Sequence, residues 1–173
     1  PLTLATYANH LGHGPAIGVY PIRVIGGEAM VKWCGTDVDV QDYGRANAFA
    51  AALTELGVFA HIERSRSKGF HVLAFLQDWT PAVVARHAML YVHDISGVPP
   101  IEPYPKQLSV SLLKSGLGNY LRLAYPGGLL RACDRQTFLW NEHEHMSLHE
   151  FLQTAKGALC SPVRLAEIAE CYE

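Results

Sequence analysis

At 173 residues the chain can bury one substantial hydrophobic core and is short for two domains of ordinary size. Hydrophobic residues at 49% and charged residues at 17% exclude a disordered chain. The net charge of −2 excludes a broadly basic coat, so a phosphate-binding site has to be a local cluster of Lys and Arg. Cys34, Cys133, Cys160 and Cys171 form no C-x-x-C pair, which points to reduced thiols and a cytoplasmic setting. No run of eighteen apolar residues predicts a transmembrane helix, and the first residues lack a basic-then-apolar signal pattern. The chain starts at Pro1 without a methionine, as a segment of something longer would.

In chain order, residues 1–14 predict a short helix or loop. Ala16 to Val24 predicts a strand that Pro21 confines to a sheet edge. Gly26 and Gly27 turn it into a second strand, Met30 to Val40, as a hairpin. Asp42 is placed as N-cap of a helix through Leu56, with Ala46, Phe49, Ala50, Leu53 and Leu56 on its apolar face and Gly57 as C-cap. Val58 to Ile62 predicts a strand, Glu63 to Gly69 a polar turn, and Phe70 to Leu76 an apolar strand. Thr80 as N-cap and Pro81 at the first helical position open a helix to about His93.

Beyond the loop at 97–100, Gly118 to Leu123 predicts a short strand, and Gly127-Gly128 turns the chain into 129–139. Ser147 caps a helix to about Lys156, and Ser161-Pro162 starts another. The β-β-α-β-β-α order with antiparallel hairpins predicts an α+β fold with helices on one face of the sheet.

Three stretches carry chemistry. Asp37 and Asp39 lie two apart in a strand, so both carboxylates project to one side and repel each other unless a cation joins them. Oxygen ligands of this kind suit Mg²⁺ or Mn²⁺, ions that serve phosphoryl and nucleotidyl transfer; the bland alternative is two solvated aspartates at a strand end. Next, Arg64, Arg66 and Lys68 alternate with Ser65 and Ser67 and lead through Gly69 to His71. Such a loop can cradle phosphate, with His71 as hydrogen-bond donor or acid–base group, or it can be an exposed basic turn. Finally, Pro103 and Pro105 stiffen IEPYPKQ, which presents Glu102 as a possible third carboxylate beside Lys106 and Gln107, or is a surface loop.

His143 and His145, with His149, Cys160 or Cys171, could hold zinc, although their spacing fits no standard finger and equally describes a polar helix entrance. Trp33, Trp79 and Trp140 read as packing residues more than base-stacking platforms.

Taken together, Asp37-Val38-Asp39, the S-x-S-K-G-F-H run ending at His71, Glu102-Pro103-Tyr104-Pro105-Lys106-Gln107 and Gly118-Asn119 resemble the archaeo-eukaryotic primase superfamily over about residues 15–125. Within it, the likeness is to primase-polymerases of phages, plasmids and bacterial mobile or conflict systems. The resemblance implies an RRM-like antiparallel or mixed catalytic sheet with flanking helices, spanning residues 1–140. Residues 141–173 then form a helical extension of the same domain. It implies two divalent cations, Mg²⁺ or Mn²⁺, on Asp37, Asp39 and Glu102. Ser65 or Ser67, Lys68 and His71 match the residues that contact the incoming triphosphate, and Lys106, Gln107, Asn119 and Arg122 are candidates for nucleotide or template contacts. The implied activity is nucleotidyl transfer, making or extending primers. Its partners are a single-stranded DNA template, a primer and NTP or dNTP, with a helicase or further domain outside this segment. The expected setting is the cytoplasm of a bacterial, phage-infected or plasmid-bearing cell.

Two departures stand out. The serine–histidine loop is one residue shorter than the common S-G-x-G-x-H form, which leaves Ser65 and Ser67 as alternatives. Glutamate stands where an aspartate is frequent, so Asp94 and Asp134 are alternatives to Glu102. Two rival functions remain: a nucleic-acid-binding module without catalysis, and a metal-dependent phosphoesterase built on the Asp pair and His71.

Overall fold

The structure, a computed structural model, describes residues 3–66, 68–100, 102–108, 120–127 and 136–172. Helix α1 (Leu4–Leu11) is followed by β1 (Gly18–Val19), β2 (Ile22–Ile25) and β3 (Glu28–Val38). Helix α2 (Tyr43–Glu55), β4 (His61–Arg64), β5 (Phe70–Pro81) and α3 (Ala82–Ser96) come next. The rest comprises β6 (Glu102–Tyr104), β7 (Leu121–Arg122), β8 (Thr137–Leu139), α4 (Leu148–Gly157) and α5 (Pro162–Ala169). Among the described residues no helix is long and apolar enough to cross a membrane.

The main sheet runs β2-β3-β5-β4-β8, and every pairing of these strands is antiparallel. Strand β6 also pairs with β3, so β2 follows the start of one β3 edge and β6 its end. A separate antiparallel ribbon joins β1 to β7. This is the expected α+β class, with the expected hairpin turning at Gly26-Gly27 between Ile25 and Glu28.

Both faces of the sheet are covered, which corrects the expectation of helices on one face. Alternate strand residues Cys34, Val38, Val72, Ala74, Leu76 and Ile62 pack against Phe49 and Leu53 of α2, Met89 and Val92 of α3, and Leu165 and Ile168 of α5. The residues between them, Leu73, Phe75, Tyr104 and Phe138, form a second core with Tyr125, Met146, Leu11 of α1 and Phe151 of α4. An aromatic-rich second face cannot be left in water, and α1 and α4 bury it.

Several boundaries differ for local reasons. The strand expected over Ala16–Val24 is cut at Pro21 into β1 and β2, which join different sheets, because proline cannot donate to a ladder. β3 begins earlier than expected, at Glu28, and closes at Val38. β4 starts at His61, three residues after the expected Val58, and continues through Glu63 and Arg64, which the sequence assigned to a turn. Thr80 and Pro81 stay in β5; helix α3 opens at Ala82 without a side-chain cap and runs on to Ser96. The helix caps at Asp42, Ser147 and Ser161 are as expected, each accepting a backbone N–H three residues on. Gly118, Asn119 and residues 128–135 lie outside the described residues.

Between Val31 and Trp33 the register of β3 on β5 shifts. Lys32, within the shift, donates to the Gln77 carbonyl at 2.7 Å. Val31 packs with the helix-side core and Trp33 with the opposite one, although two residues of an uninterrupted strand would share a face.

His61 sits between the two layers' chemistry: it is only 2% exposed, it is ringed by Phe59, Phe75, Phe138 and Phe151, and neither ring nitrogen has a partner. Burial pushes its pKa down to about 4. The unfolded chain therefore binds a proton at His61 near pH 6.5 that the native state refuses, and stability falls as pH drops from about 6.5 to about 4. The expected loss from this residue at pH 5 is at most about 2 kcal/mol. In His61→Phe the difference between melting curves at pH 7 and pH 5 should shrink accordingly; an unchanged difference would place the acid sensitivity elsewhere.

Candidate active site

The site is assembled by strand register. Asp37 of β3 pairs with His71 of β5 on one side and with Glu102 of β6 on the other, and His71 pairs in turn with Glu63 of β4. Residues directly opposite in antiparallel strands share a face, so Glu102, Asp37, His71 and Glu63 form one polar row across four strands. The turn after β4 fixes that row: Ser65 N–H donates to the Gly69 carbonyl at 3.1 Å, and counting back from this closure sets Glu63 opposite His71.

Glu63 was not among the residues singled out from sequence. It is 1% exposed, and its Oε2 accepts a hydrogen bond from His71 Nδ1 at 3.0 Å. His71 Nε2 stands 3.8 Å from Asp37 Oδ1. Burial disfavours a charged His71, but the Glu63 hydrogen bond and the charges of Glu63, Asp37 and Asp39 outweigh it and hold the imidazole above its usual pKa. Burial also raises the Asp37 pKa, opposed by His71 and Lys106 and reinforced by Asp39 and Glu102. Asp37 Oδ1 and Glu63 Oε1 are both buried without a hydrogen-bond partner. One residue past β3, Asp39 is exposed to solvent.

A cleft of about 440 Å³ opens over the middle of this row, at Asp37 and His71. Asp37 and Asp39 line it with His71, and so do the cations Arg66, Lys68 and Arg122. Ser65 lines it as well, although its hydroxyl is committed to the Lys68 carbonyl within the loop. Tyr104, Tyr120, Leu121 and Gln136, none singled out beforehand, complete the described walls.

The remaining expected residues stand apart or outside. Glu102 is half-buried beside Asp37, but its carboxylate pairs with Lys106 Nζ at 2.6 Å, and neither residue lines the cleft. Gln107 likewise does not reach it, and its Oε1 is buried without a partner. Arg64, counted in the basic loop, turns to the other side of β4, where it covers the Phe70 ring and donates to the Glu142 carbonyl at 3.0 Å. Asp94 is exposed on α3, across the sheet. Ser67, Asn119 and Asp134 lie outside the described residues. His145 bonds Thr137 at 2.6 Å while Cys160 packs in the helix-side core, so the histidine patch does not gather around a metal. Among the described residues, no three His, Cys, Asp or Glu side chains stand close enough to hold an ion as they are placed.

The loop depends on Gly69. Its φ of 81° is a conformation that side chains resist, and a Cβ there would run into the Val38 carbonyl, one residue from Asp39. Gly69→Ala should therefore cost about 2 to 3 kcal/mol, a drop in Tm of roughly 5 to 10 °C. Thermal melts check this, and a Tm within 2 °C or so of wild type would contradict the described contact.

The amino-acid pattern of a protein family described as the TOTE conflict system, Archaeo-Eukaryotic Primase domain, matches residues 1–153. The chain belongs to that family. The match covers α1 to α3, the eight described strands and part of α4, and it places the protein in the archaeo-eukaryotic primase superfamily, on a branch of mobile-element and conflict-system type. No curated protein matches the chain. The α+β architecture is that of an archaeo-eukaryotic primase domain, and the polar row lies within the matched region.

Proposed function

We propose that this primase-family domain joins nucleotides on a single-stranded DNA template, starting or extending a strand from NTP or dNTP. The observation that carries the reading is the single cleft in which Asp37, Asp39 and His71 meet Arg66, Lys68 and Arg122. A pair of acids beside three cations suits a reaction in which a triphosphate is bound and divided, because both metal-bound and free phosphate oxygens need neutralising.

The donor set fits divalent cations. Asp37 Oδ1 is buried, lacks a hydrogen-bond partner and carries a raised pKa, which is the state of a carboxylate that wants a positive ligand. Asp37 and Asp39 would hold the ions, with Glu102 as the third carboxylate once released from Lys106. Bound Mg²⁺ or Mn²⁺ would activate the primer 3′-hydroxyl and neutralise the triphosphate.

The chain's own residues supply the rest. Glu63 occupies His71 Nδ1, so Nε2 is the nitrogen directed to the Asp37 side, where it can donate to a phosphate oxygen. Lys68 and Arg66 neutralise the β- and γ-phosphates, and Arg122 approaches from the ribbon. None of these groups needs to form a covalent bond.

The test is incorporation of labelled nucleotides on a single-stranded template, with and without primer, in Mg²⁺ and in Mn²⁺, beside an Asp37→Ala/Asp39→Ala control. Metal-dependent product that vanishes in the control supports the reading, and the unprimed reaction decides whether a primer is required. Strand binding that survives chelation with no product in either metal would instead favour a binding module. Release of phosphate in place of pyrophosphate would favour a phosphoesterase.

A further inference from the structure

We propose that the β1–β7 ribbon is a stacking platform for single-stranded nucleic acid, with Tyr20 and Tyr120 as base-contacting rings and Arg66 and Arg122 as phosphate contacts. The proposal rests on the nucleotidyl-transfer reading above and extends it to where the strand lies. Beyond the cleft is a second depression of about 610 Å³, and the two share Arg66, Tyr120, Arg122 and Gln136 as walls. They therefore form one continuous groove, with Asp37 and Asp39 at one end and Arg66 and Arg122 where the two depressions meet.

Four features of the ribbon end point to a strand. Tyr20 and Tyr120 are 43% and 52% exposed and belong to neither hydrophobic core, so packing does not account for them. Their rings meet edge to face, with centroids 6.1 Å apart at 74°, which leaves each ring a face of its own for a base. The Tyr120 ring occupies the place where a Cβ of Gly18 would be, so it rests against bare backbone and is held in position without being buried. Finally, Gln136 is 7% exposed, lines the depression and has its Nε2 donor unpaired, available to a base edge or phosphate oxygen.

The charge is complementary to a polynucleotide. Among the described residues no acid lines this depression, while Arg66 and Arg122 both do, in a chain whose net charge is −2. Two rings that each keep a face open suit two successive bases; the single base of a mononucleotide would use one. Every base has a face that can stack, so the platform binds with little sequence preference.

Binding of a fluorescent oligothymidylate, followed by anisotropy in EDTA without nucleotide, tests the idea on the full chain. Tyr20→Ala and Tyr120→Ala should each weaken the strand about tenfold, and the double variant more, while Tyr120→Phe keeps near-wild-type affinity. Gly18→Val, which displaces Tyr120, should behave like Tyr120→Ala. Arg66→Gln with Arg122→Gln should also flatten the salt dependence, lowering the slope of log K against log salt by about 1.4. Wild-type affinity in both tyrosine-to-alanine variants would overturn the platform, as would equal, tyrosine-independent binding of duplex. Because the assay contains neither metal nor nucleotide, a failure to incorporate nucleotides would count against the catalytic reading and leave this result standing.

Discussion

Asp37→Asn is expected to reduce nucleotide incorporation about a thousandfold or more while leaving the protein as stable as wild type, or slightly more so. The amide keeps the shape of the side chain and removes its charge. In the native state that charge is buried next to Asp39 and Glu102, and burial together with those neighbours raises its pKa in spite of His71 and Lys106. A carboxyl whose folded pKa is raised costs stability once pH exceeds that pKa, so neutralising it at pH 7 relieves a cost that the His71 attraction does not cover, and breaks no hydrogen bond. The uncoupling of activity from stability is the signature of a group kept for its ligand. Melting curves supply a second readout: Mg²⁺ or Mn²⁺ should raise the Tm of wild type and have less effect on Asp37→Asn. Wild-type incorporation by the variant would remove Asp37 from the proposed machinery.

Glu63→Ala should do the opposite, damaging the fold and the site together. Its partner His71 would be left buried with no acceptor for Nδ1, and would lose the hydrogen bond and charge that chiefly offset its burial. Removing one member of a buried charged pair costs about 3 to 5 kcal/mol, here a fall in Tm of roughly 10 °C. Glu63→Gln retains an acceptor for Nδ1 and loses only the charge, so it should melt closer to wild type and still lose about ten- to a hundredfold in incorporation. A double-mutant cycle with His71→Ala isolates the pair, and the two losses should overlap by more than about 1 kcal/mol. Strict additivity would mean that the 3.0 Å contact contributes nothing.

The contrast between these residues shows what the sequence could reveal. Asp37 and Asp39 are visible because D-x-D in an apolar strand is locally unusual, and His71 because it enters the next apolar run. Their pairing follows from the β3–α2–β4–β5 order, which helix caps and glycines mark well. Glu63 was hidden because it stands at the head of a run of charged and small residues, which reads as solvent-exposed turn. Its burial is decided by where β4 ends, and that depends on the Ser65–Gly69 closure and on β8 covering the far edge. The pairing of the ribbon was illegible for a similar reason: its strands fall within the predicted segments Ala16–Val24 and Gly118–Leu123, but two strands of two residues each, 103 positions apart, carry no pattern that says they pair. Thr80-Pro81 shows a local rule losing to a longer-range one. The pair carries a good helix-start signal, yet pairing with Met30 and Val31 keeps it in the sheet.

The irregularity at Lys32 has a consequence for how this domain can vary. Upstream of it the odd-numbered side chains of β3 pack among the helices; downstream the even-numbered ones do, and Asp37 is free to look the other way. The strand thus contains a half-turn of phase that substitutions leave intact and length changes do not. Deleting one residue between Val31 and Trp33 would force a choice between a correctly seated hairpin and correctly aimed aspartates. Related chains should accordingly tolerate exchange of side chains here far more readily than a gain or loss of one.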